Sequence, residues 1–308
     1  MRRILVTPRS VTLRGHPSLQ RLRDAGFELV LSSPGVQPSE AELLEKLPGC
    51  SGYLAGVETV SAQVITSAAP QLKVISRNGA GFNSIDADAA ARHGVKICRA
   101  AGSNARGVAE LALGHILAAA RQIPAADRDL KGCSWRRQQG IEVAGRRLGI
   151  VGCGAIGRLL SGFAVAMEME VLAYDPFPDP RFQPGPSFRY APIDEVLTTV
   201  DILSLHCPVP ADGRPLLDAA TLARLKPGLI VINTARGELI DTDAALAALD
   251  SGHLAALTLD AYASEPPSDW RLIQHPRVIA TPHTGAFTAE SVDRAVDGAV
   301  ENLLRELE

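Results

Sequence analysis

The sequence lacks several features that would each assign a class. No stretch approaches ~18 uninterrupted apolar residues, so no membrane span is expected. The opening Met1-Arg2-Arg3-Ile4-Leu5-Val6 has no long apolar region after it and reads as a first strand, not a signal peptide. The five cysteines (Cys50, Cys98, Cys133, Cys153, Cys207) are odd in number and contain no C-x-x-C pair. Free thiols in a reducing cytoplasm fit this pattern better than a disulfide framework or a zinc site. The seven histidines show no H-E-x-x-H or other ligand spacing, so no catalytic metal is expected. There is no excess of positive charge: Lys plus Arg is 31 and Asp plus Glu 34, for a net charge of -3. A broad grip on nucleic acid or on an anionic membrane is therefore not expected. Neither a short-period repeat nor a low-complexity tract is present. What remains is ordinary globular composition, 46% hydrophobic and 21% charged over 308 residues, enough for two domains at about 150 residues each.

Short apolar runs alternate with helical patterns from end to end. Ile4–Val6, Phe27–Leu31, Tyr53–Leu54, Val74–Ser76 and Val95–Cys98 read as strands. Helical spacing recurs at Leu19 and Leu22, after the capping-box signature Ser39-Glu40-Ala41-Glu42, and from Asp86 to His93. Residues Val108 to Ala120 are apolar nearly all round and predict a buried helix, ended or kinked by Pro124, with Glu110 as a buried, hydrogen-bonded acid. Lys131–Arg147 reads as an irregular connection. A second series of strands follows at Leu148–Val151, Val171–Tyr174, Ile202–Leu205, Leu229–Asn233, Ala256–Asp260 and Val278–Thr281. Helices are expected at Ala155–Met167, Ile193–Thr199, Ala219–Leu225 and Asp243–Asp250, a proline-rich surface loop over Asp179–Pro192, and a long amphipathic helix over Ala289–Leu307. The alternation implies α/β architecture, two parallel sheets each flanked by helices.

Gly152-Cys153-Gly154-Ala155-Ile156-Gly157 follows one predicted strand and opens a predicted helix. In that setting G-x-G-x-x-G is a dinucleotide loop. The first glycine makes the turn, the second lets the backbone approach a pyrophosphate, and the third packs helix on strand. The next strand ends at Tyr174-Asp175-Pro176. A carboxylate at Asp175 accepts two ribose hydroxyls and repels a 2′-phosphate, which favours NAD over NADP. Cys153, inside the loop, is a small filler.

Three further segments end strands: Asn233-Thr234-Ala235-Arg236-Gly237, Asp260 through Pro267, and Thr281-Pro282-His283-Thr284-Gly285. Ligands sit at the carboxyl ends of parallel strands, so Arg236, Glu265 and His283 fall at one edge. Read singly, Arg236 is an ordinary salt-bridged arginine and His283 a surface histidine. Read together they are a hydride-transfer set: a planar cation for a carboxylate and ketone, a proton carrier, and a carboxylate to orient it.

These stretches, with Arg77-Asn78-Gly79-Ala80-Gly81, Asn104 through Leu111, Gly132 through Arg136 and His206-Cys207-Pro208, resemble the D-isomer-specific 2-hydroxyacid dehydrogenase family in its phosphoglycerate-dehydrogenase-like branch. The resemblance covers most of the chain in the family's order. It implies a flavodoxin-like substrate domain (1–101 plus 286–308) with an inserted Rossmann-like NAD domain (102–285) and a homodimer. It implies a catalytic Arg236, Glu265 and His283. NAD contacts are implied at Gly152, Gly154, Ala155, Ile156, Gly157, Asp175, Thr234, Ala235, Asp260 and Gly285. His206 is placed on a cofactor-side loop. Backbone N–H groups at Asn78, Gly79, Ala80 and Gly81 are implied as a cradle for the substrate carboxylate, and Trp135 as an interface side chain.

Phosphoglycerate enzymes carry an arginine where this chain has Leu54-Ala55-Gly56-Val57-Glu58. Losing that cation and adding Glu58 is expected to weaken a phosphate grip, and at this length no regulatory C-terminal domain is expected. The family's usual Asp is replaced at Asn83, and Arg106 is a candidate for a distal anion at the hinge. The expected substrate is a small 2-keto acid such as hydroxypyruvate or glyoxylate. The alternatives are D-3-phosphoglycerate and, in another class, an NAD-sensing corepressor-like protein without catalysis.

Overall fold

A computed structural model describes residues 2–79, 81 and 84–307. The chain divides into two compact units, Met1–Asn104 with Thr288–Glu308, and Ala105–Phe287.

Unit 1 begins with β1 (Arg2–Val6), α1 (Arg9–Arg14), α2 (Leu19–Asp24), β2 (Phe27–Leu31), α3 (Glu40–Lys46), β3 (Cys50–Ala55), α4 (Ala62–Ala68), β4 (Val74–Arg77), α5 (Ala87–Arg92) and β5 (Lys96–Arg99). Its sheet runs β2-β1-β3-β4-β5 with every pairing parallel, the flavodoxin-like order. Local chemistry starts the helices: Ser39 Oγ accepts from Glu42 N at 3.2 Å and Asp86 Oδ1 from Ala89 N at 2.8 Å. Each such cap is worth about 1 kcal/mol. The capping box at Ser39 closes on one side only, because Glu42 Oε1 turns to the backbone N and hydroxyl of Ser33 instead.

Unit 2 contains α6 (Ala105–Ala120), α7 (Ile123–Lys131), β6 (Arg147–Val151), α8 (Ala155–Ala166), β7 (Glu170–Tyr174), β8 (Phe188–Tyr190), α9 (Ile193–Thr199), β9 (Ile202–Leu205), α10 (Ala219–Arg224), β10 (Leu229–Asn233), α11 (Thr242–Asp250), β11 (Leu254–Leu259), α12 (Arg271–Gln274) and β12 (Val278–Ala280). Its sheet runs β12-β11-β10-β9-β6-β7-β8, again all parallel. Strand order across the sheet reverses between β6 and β9, the switch point where open α/β sheets bind dinucleotides.

The chain ends in α13 (Ala289–Leu307), which belongs to unit 1. Side chains alternate across each strand. Leu5, Tyr53 and Ile75 therefore pack with Leu43, Val64 and Ala89 on one face of the unit 1 sheet. Ile4, Val6, Leu54 and Val74 pack with Val296, Val300 and Leu303 of α13 on the other. Each of those three α13 side chains, fully buried, contributes about 1.5–3 kcal/mol.

Four expectations are corrected. Pro124 does not merely end a helix: α6 stops at Ala120, Gln122 takes φ 55°, and Pro124 sits in the first turn of a new helix, α7. A proline there forfeits no intrahelical donor. The 179–192 segment contains the edge strand β8, which pairs with β7. The helix over 108–120 is not buried all round, and Glu110 is exposed, ion-paired to Arg106 one turn earlier. The Arg106 guanidinium lies 4.8 Å from the Phe163 ring centroid, a packed cation on the surface of unit 2. Trp135, expected at an interface, is not among these corrections: its side chain is 84% exposed in the single chain.

Candidate active site

The dinucleotide loop stands at the switch point. Gly152 has φ 95°, and a Cβ there would lie 2.6 Å from the backbone C and O of His206. Gly152 thus makes a turn closed to other residues and lets the ends of β6 and β9 meet. A Cβ on Gly157 would overlap Gly152 O, so the third glycine is a packing requirement. Gly154 differs. It caps α8, is exposed, and a Cβ there would meet nothing within 4 Å. Open space above the free N–H groups of a twelve-residue helix suits a pyrophosphate. Asp175 ends β7 beside this turn: Oδ2 accepts from Cys153 N at 2.8 Å and Oδ1 from Phe177 N at 2.9 Å. Arg158 donates to Cys153 O at 3.1 Å and pairs with Asp179 at 3.2 Å.

His206 follows β9. Its Nε2 is 2.9 Å from Ser204 Oγ, and burial pushes the imidazole down to about 4, so it is neutral at pH 7. Among the described residues His206 Nδ1 and Thr234 Oγ1 are buried without a hydrogen-bond partner. Buried polar atoms left unpaired cost stability, and both lie on loops at the carboxyl edge of the sheet. The open helix terminus, the acid at Asp175 and these two orphaned atoms fit a dinucleotide.

Three more loops share that edge. Asn233 is buried; its Nδ2 donates to Arg236 O at 2.8 Å and its Oδ1 accepts from Ala235 N at 3.1 Å. This pins the turn that carries Arg236, whose side chain is exposed. A Cβ on Gly237 would overlap the backbone of Tyr262 and Ala263, so the second loop lies directly against the first. Tyr262 OH donates to Thr281 O at 2.8 Å, which ties the second loop to the third. The Tyr262 hydroxyl is pushed up to about 12, by burial first and then by Asp260 and Glu265. His283 Nδ1 is 2.6 Å from Glu265 Oε1, each side chain a little under half exposed. His283 holds φ 52°, a left-handed conformation for a non-glycine residue.

Asp260 is 1% exposed. The resemblance gives it the nicotinamide carboxamide; in the structure its Oδ1 accepts from Thr284 N at 2.8 Å and its Oδ2 from Gly285 N at 2.8 Å. Ala155 is exposed and Ile156 half-buried at the start of α8, Ala235 is half-buried and Gly285 buried. Asn233, Tyr262 and Thr281 hold these loops without having been singled out from sequence. Their signal was position alone, each lying within four residues of a chosen one.

In unit 1 the loop after β4 carries Asn78, Gly79 and Gly81, while Ala80 and Asn83 lie outside the described residues. The expected cradle is corrected here: Asn78 N donates to Ala55 O at 2.8 Å and Gly79 N to Arg77 O at 2.9 Å, so neither N–H faces a substrate, while Asn78 Oδ1 is buried without a partner among the described residues. Glu58 is 2% exposed. Its Oε1 accepts from Tyr53 OH at 2.5 Å, from Gly56 N at 2.8 Å and from the Thr7 hydroxyl. Arg77 donates to Asn78 O; burial lowers its pKa, and the charge of Glu58 opposes that shift.

The model of the D-isomer specific 2-hydroxyacid dehydrogenase, NAD binding domain, matches residues 113–285. The chain belongs to this family. As a member of the D-isomer specific 2-hydroxyacid dehydrogenases, it is 39% identical over 269 residues to D-3-phosphoglycerate dehydrogenase of Mycobacterium bovis, covering 86% of this chain and 51% of the relative. The chain thus spans about half the length of the curated relatives it matches. Among solved structures, the TT0316 protein of Thermus thermophilus is 33% identical with a TM-score of 0.87, covering 99% of this chain and 96% of the other. A glyoxylate reductase from Paecilomyes thermophila is 26% identical with a TM-score of 0.86, covering 100% and 95%. The family places NAD on unit 2. No helix among the described residues is long and apolar enough to cross a membrane.

Proposed function

We propose that this chain is an NAD-dependent dehydrogenase that interconverts a small 2-keto acid, such as hydroxypyruvate or glyoxylate, with the D-2-hydroxy acid. The 2.6 Å contact between His283 Nδ1 and Glu265 Oε1 carries the reading. Bound NADH supplies the hydride. A carboxylate on Nδ1 fixes the imidazole tautomer and stabilises the imidazolium, leaving Nε2 to hand a proton to the developing alkoxide. The Arg236 guanidinium, always charged and planar, holds the substrate carboxylate and polarises the ketone. Gly152, Gly154 and Gly157 would hold the pyrophosphate, and Asp175 the adenosine ribose.

Glu58 supports a small substrate over a phosphorylated one, because it sets a buried negative charge after β3 at the carboxyl edge of unit 1. The second reading, D-3-phosphoglycerate, is favoured by the named relatives and by Arg77, a cation one residue from Asn78. A homodimer is part of the proposal: α7 has no buried residue, and Ile123, Leu130 and Trp135 are exposed along it and just beyond. A second copy of this chain is the proposed occupant of that face, and sedimentation of the wild-type chain tests it.

Loss of NADH absorbance with glyoxylate, hydroxypyruvate, pyruvate, oxaloacetate and phosphohydroxypyruvate, repeated with NADPH, tests the function. Turnover of a small acid with NADH is expected; turnover of phosphohydroxypyruvate alone sinks the substrate assignment. His283→Ala should lower turnover by at least ~10²-fold with NADH binding retained. A chain that binds NADH and turns over none of the acids would be the non-catalytic sensor.

A further inference from the structure

Helix α6 is built mainly of Ala, Leu and Gly, yet its buried face carries a histidine. His115 is 4% exposed, and its Nε2 lies 3.1 Å from Thr281 Oγ1. Thr281 Oγ1 lies 2.6 Å from Asp260 Oδ1 and 3.4 Å from Leu259 O. A threonine hydroxyl has one proton, and an Asp that accepts two backbone N–H groups offers oxygens as acceptors. The shorter contact therefore takes the proton, and Thr281 donates to Asp260. The Thr281 oxygen must then accept, so His115 carries its proton on Nε2. Burial favours the neutral imidazole, lowering the His115 pKa against the opposing pull of Asp260. The result is a directed chain, His115 to Thr281 to Asp260, with Asp260 gripping Thr284 N and Gly285 N on the far side.

Thr281 is the node of this arrangement. Its carbonyl accepts from Tyr262 OH at 2.8 Å and from His283 N at 2.9 Å. Between those anchors His283 holds φ 52°, a conformation that costs a non-glycine residue free energy and persists where neighbours impose it. We propose that His115 and Thr281 are positioning residues, which hold the 281–285 loop so that His283 stays on Glu265. The proposal rests on the dehydrogenase reading for its kinetic consequence, and on geometry alone for the placement of His283.

The test uses the full-length chain with Thr281→Val, Thr281→Ser, His115→Leu and His115→Gln. Two readouts are taken: kcat and KM for the 2-keto acid, with NADH affinity alongside, and the His283 imidazole titration followed by NMR. Thr281→Val should cut kcat at least tenfold with NADH affinity within twofold, and should move the His283 midpoint. Thr281→Ser, which keeps the hydroxyl, should recover kcat to within threefold of wild type. His115→Leu should reproduce part of the loss and His115→Gln, which restores an N–H donor, should relieve it. The Thr281→Val/His115→Leu double variant should be no worse than Thr281→Val alone, because the two act in one chain. Rescue by neither conservative variant, or an unmoved His283 midpoint in both Thr281→Val and His115→Leu, overturns the proposal. Should Thr281→Val not fold, His115→Leu and His115→Gln decide it. Should no acid be turned over, the NMR midpoint still decides the placement, so failure of the dehydrogenase reading is told apart from failure of this one.

Discussion

Acid should loosen unit 2 through a histidine before the carboxylates matter. Burial pushes the His206 pKa down to about 4, against 6.5 for a free histidine. Its unfolded form takes up a proton below pH 6.5 and its folded form resists until about 4. The neutral, buried state thus contributes stability that is fully present above 6.5 and is lost as pH falls through that window. For one site with these two values, going from pH 7.5 to 4.5 removes roughly 2 to 3 kcal/mol, a large share of the 5–15 kcal/mol of a typical domain. His115, its pKa shifted the same way, adds to the slope. Urea unfolding followed by circular dichroism at pH 7.5, 5.5 and 4.5 measures the loss in the wild type. His206→Gln, which does not titrate, isolates the site: the variant should start less stable and lose less on acidification. Parallel losses in the two proteins, within about 0.5 kcal/mol at each pH, would show that His206 is not the group responsible.

The loop glycines should separate folding from cofactor binding. Gly152→Ala forces a Cβ against the His206 backbone at φ 95° and should destabilise the fold by about 2 kcal/mol or more. Gly154→Ala, with nothing within 4 Å, should melt within a few degrees of wild type and yet bind NADH at least about tenfold more weakly, and equal effects of the two would refute the assignment. Asp175→Asn should raise the KM for NADH by about tenfold and narrow the preference over NADPH; steady-state kinetics with both cofactors checks this. Glu58→Gln removes the buried charge held by Thr7, Tyr53 and Gly56, and should raise the phosphohydroxypyruvate to hydroxypyruvate ratio of kcat/KM on the order of tenfold. An unchanged ratio would leave Glu58 a structural acid.

Much of the fold was legible because its signals are local. A buried parallel strand is a short apolar run, and eleven of the twelve strands among the described residues announced themselves that way. The missed one, Phe188–Tyr190, is three residues long and pairs on one side only, with its apolar character masked by the flanking prolines. Helix α7 is hard to see in sequence because proline forbids the interior of a helix yet suits its first turn, where Pro124 sits. Glu110 is exposed despite its apolar neighbours because apolar flanks in sequence do not by themselves bury a residue. Its surface exposure follows from one face of α6 packing against β10, β11 and α8 while the other faces out. Glu58 reads from sequence only as a charge: Tyr53 and Gly56 are local donors, but the Thr7 hydroxyl comes from 51 residues away, just past the neighbouring strand β1, and no local spacing reveals it.

The candidate site divides along the same physical line. Arg236, Glu265 and His283 are legible because chemistry restricts residue type and the parallel sheet restricts position to strand ends. Of the residues that hold them, Asn233 and Thr281 share the position but no restriction of type, and His115 obeys neither restriction. His115 and Thr281 are 166 residues apart, and nothing in an alanine-rich helix says that its one histidine donates to a loop beyond the last strand. Asn233 differs only in distance: its amide closes on Arg236 O three residues away, a turn that side-chain chemistry alone could have suggested. Function at strand ends can be read from sequence to the extent that it is local. The precision of that function depends on buried contacts between distant segments, and those become visible when α6, β11 and the 281–285 loop are placed in one unit.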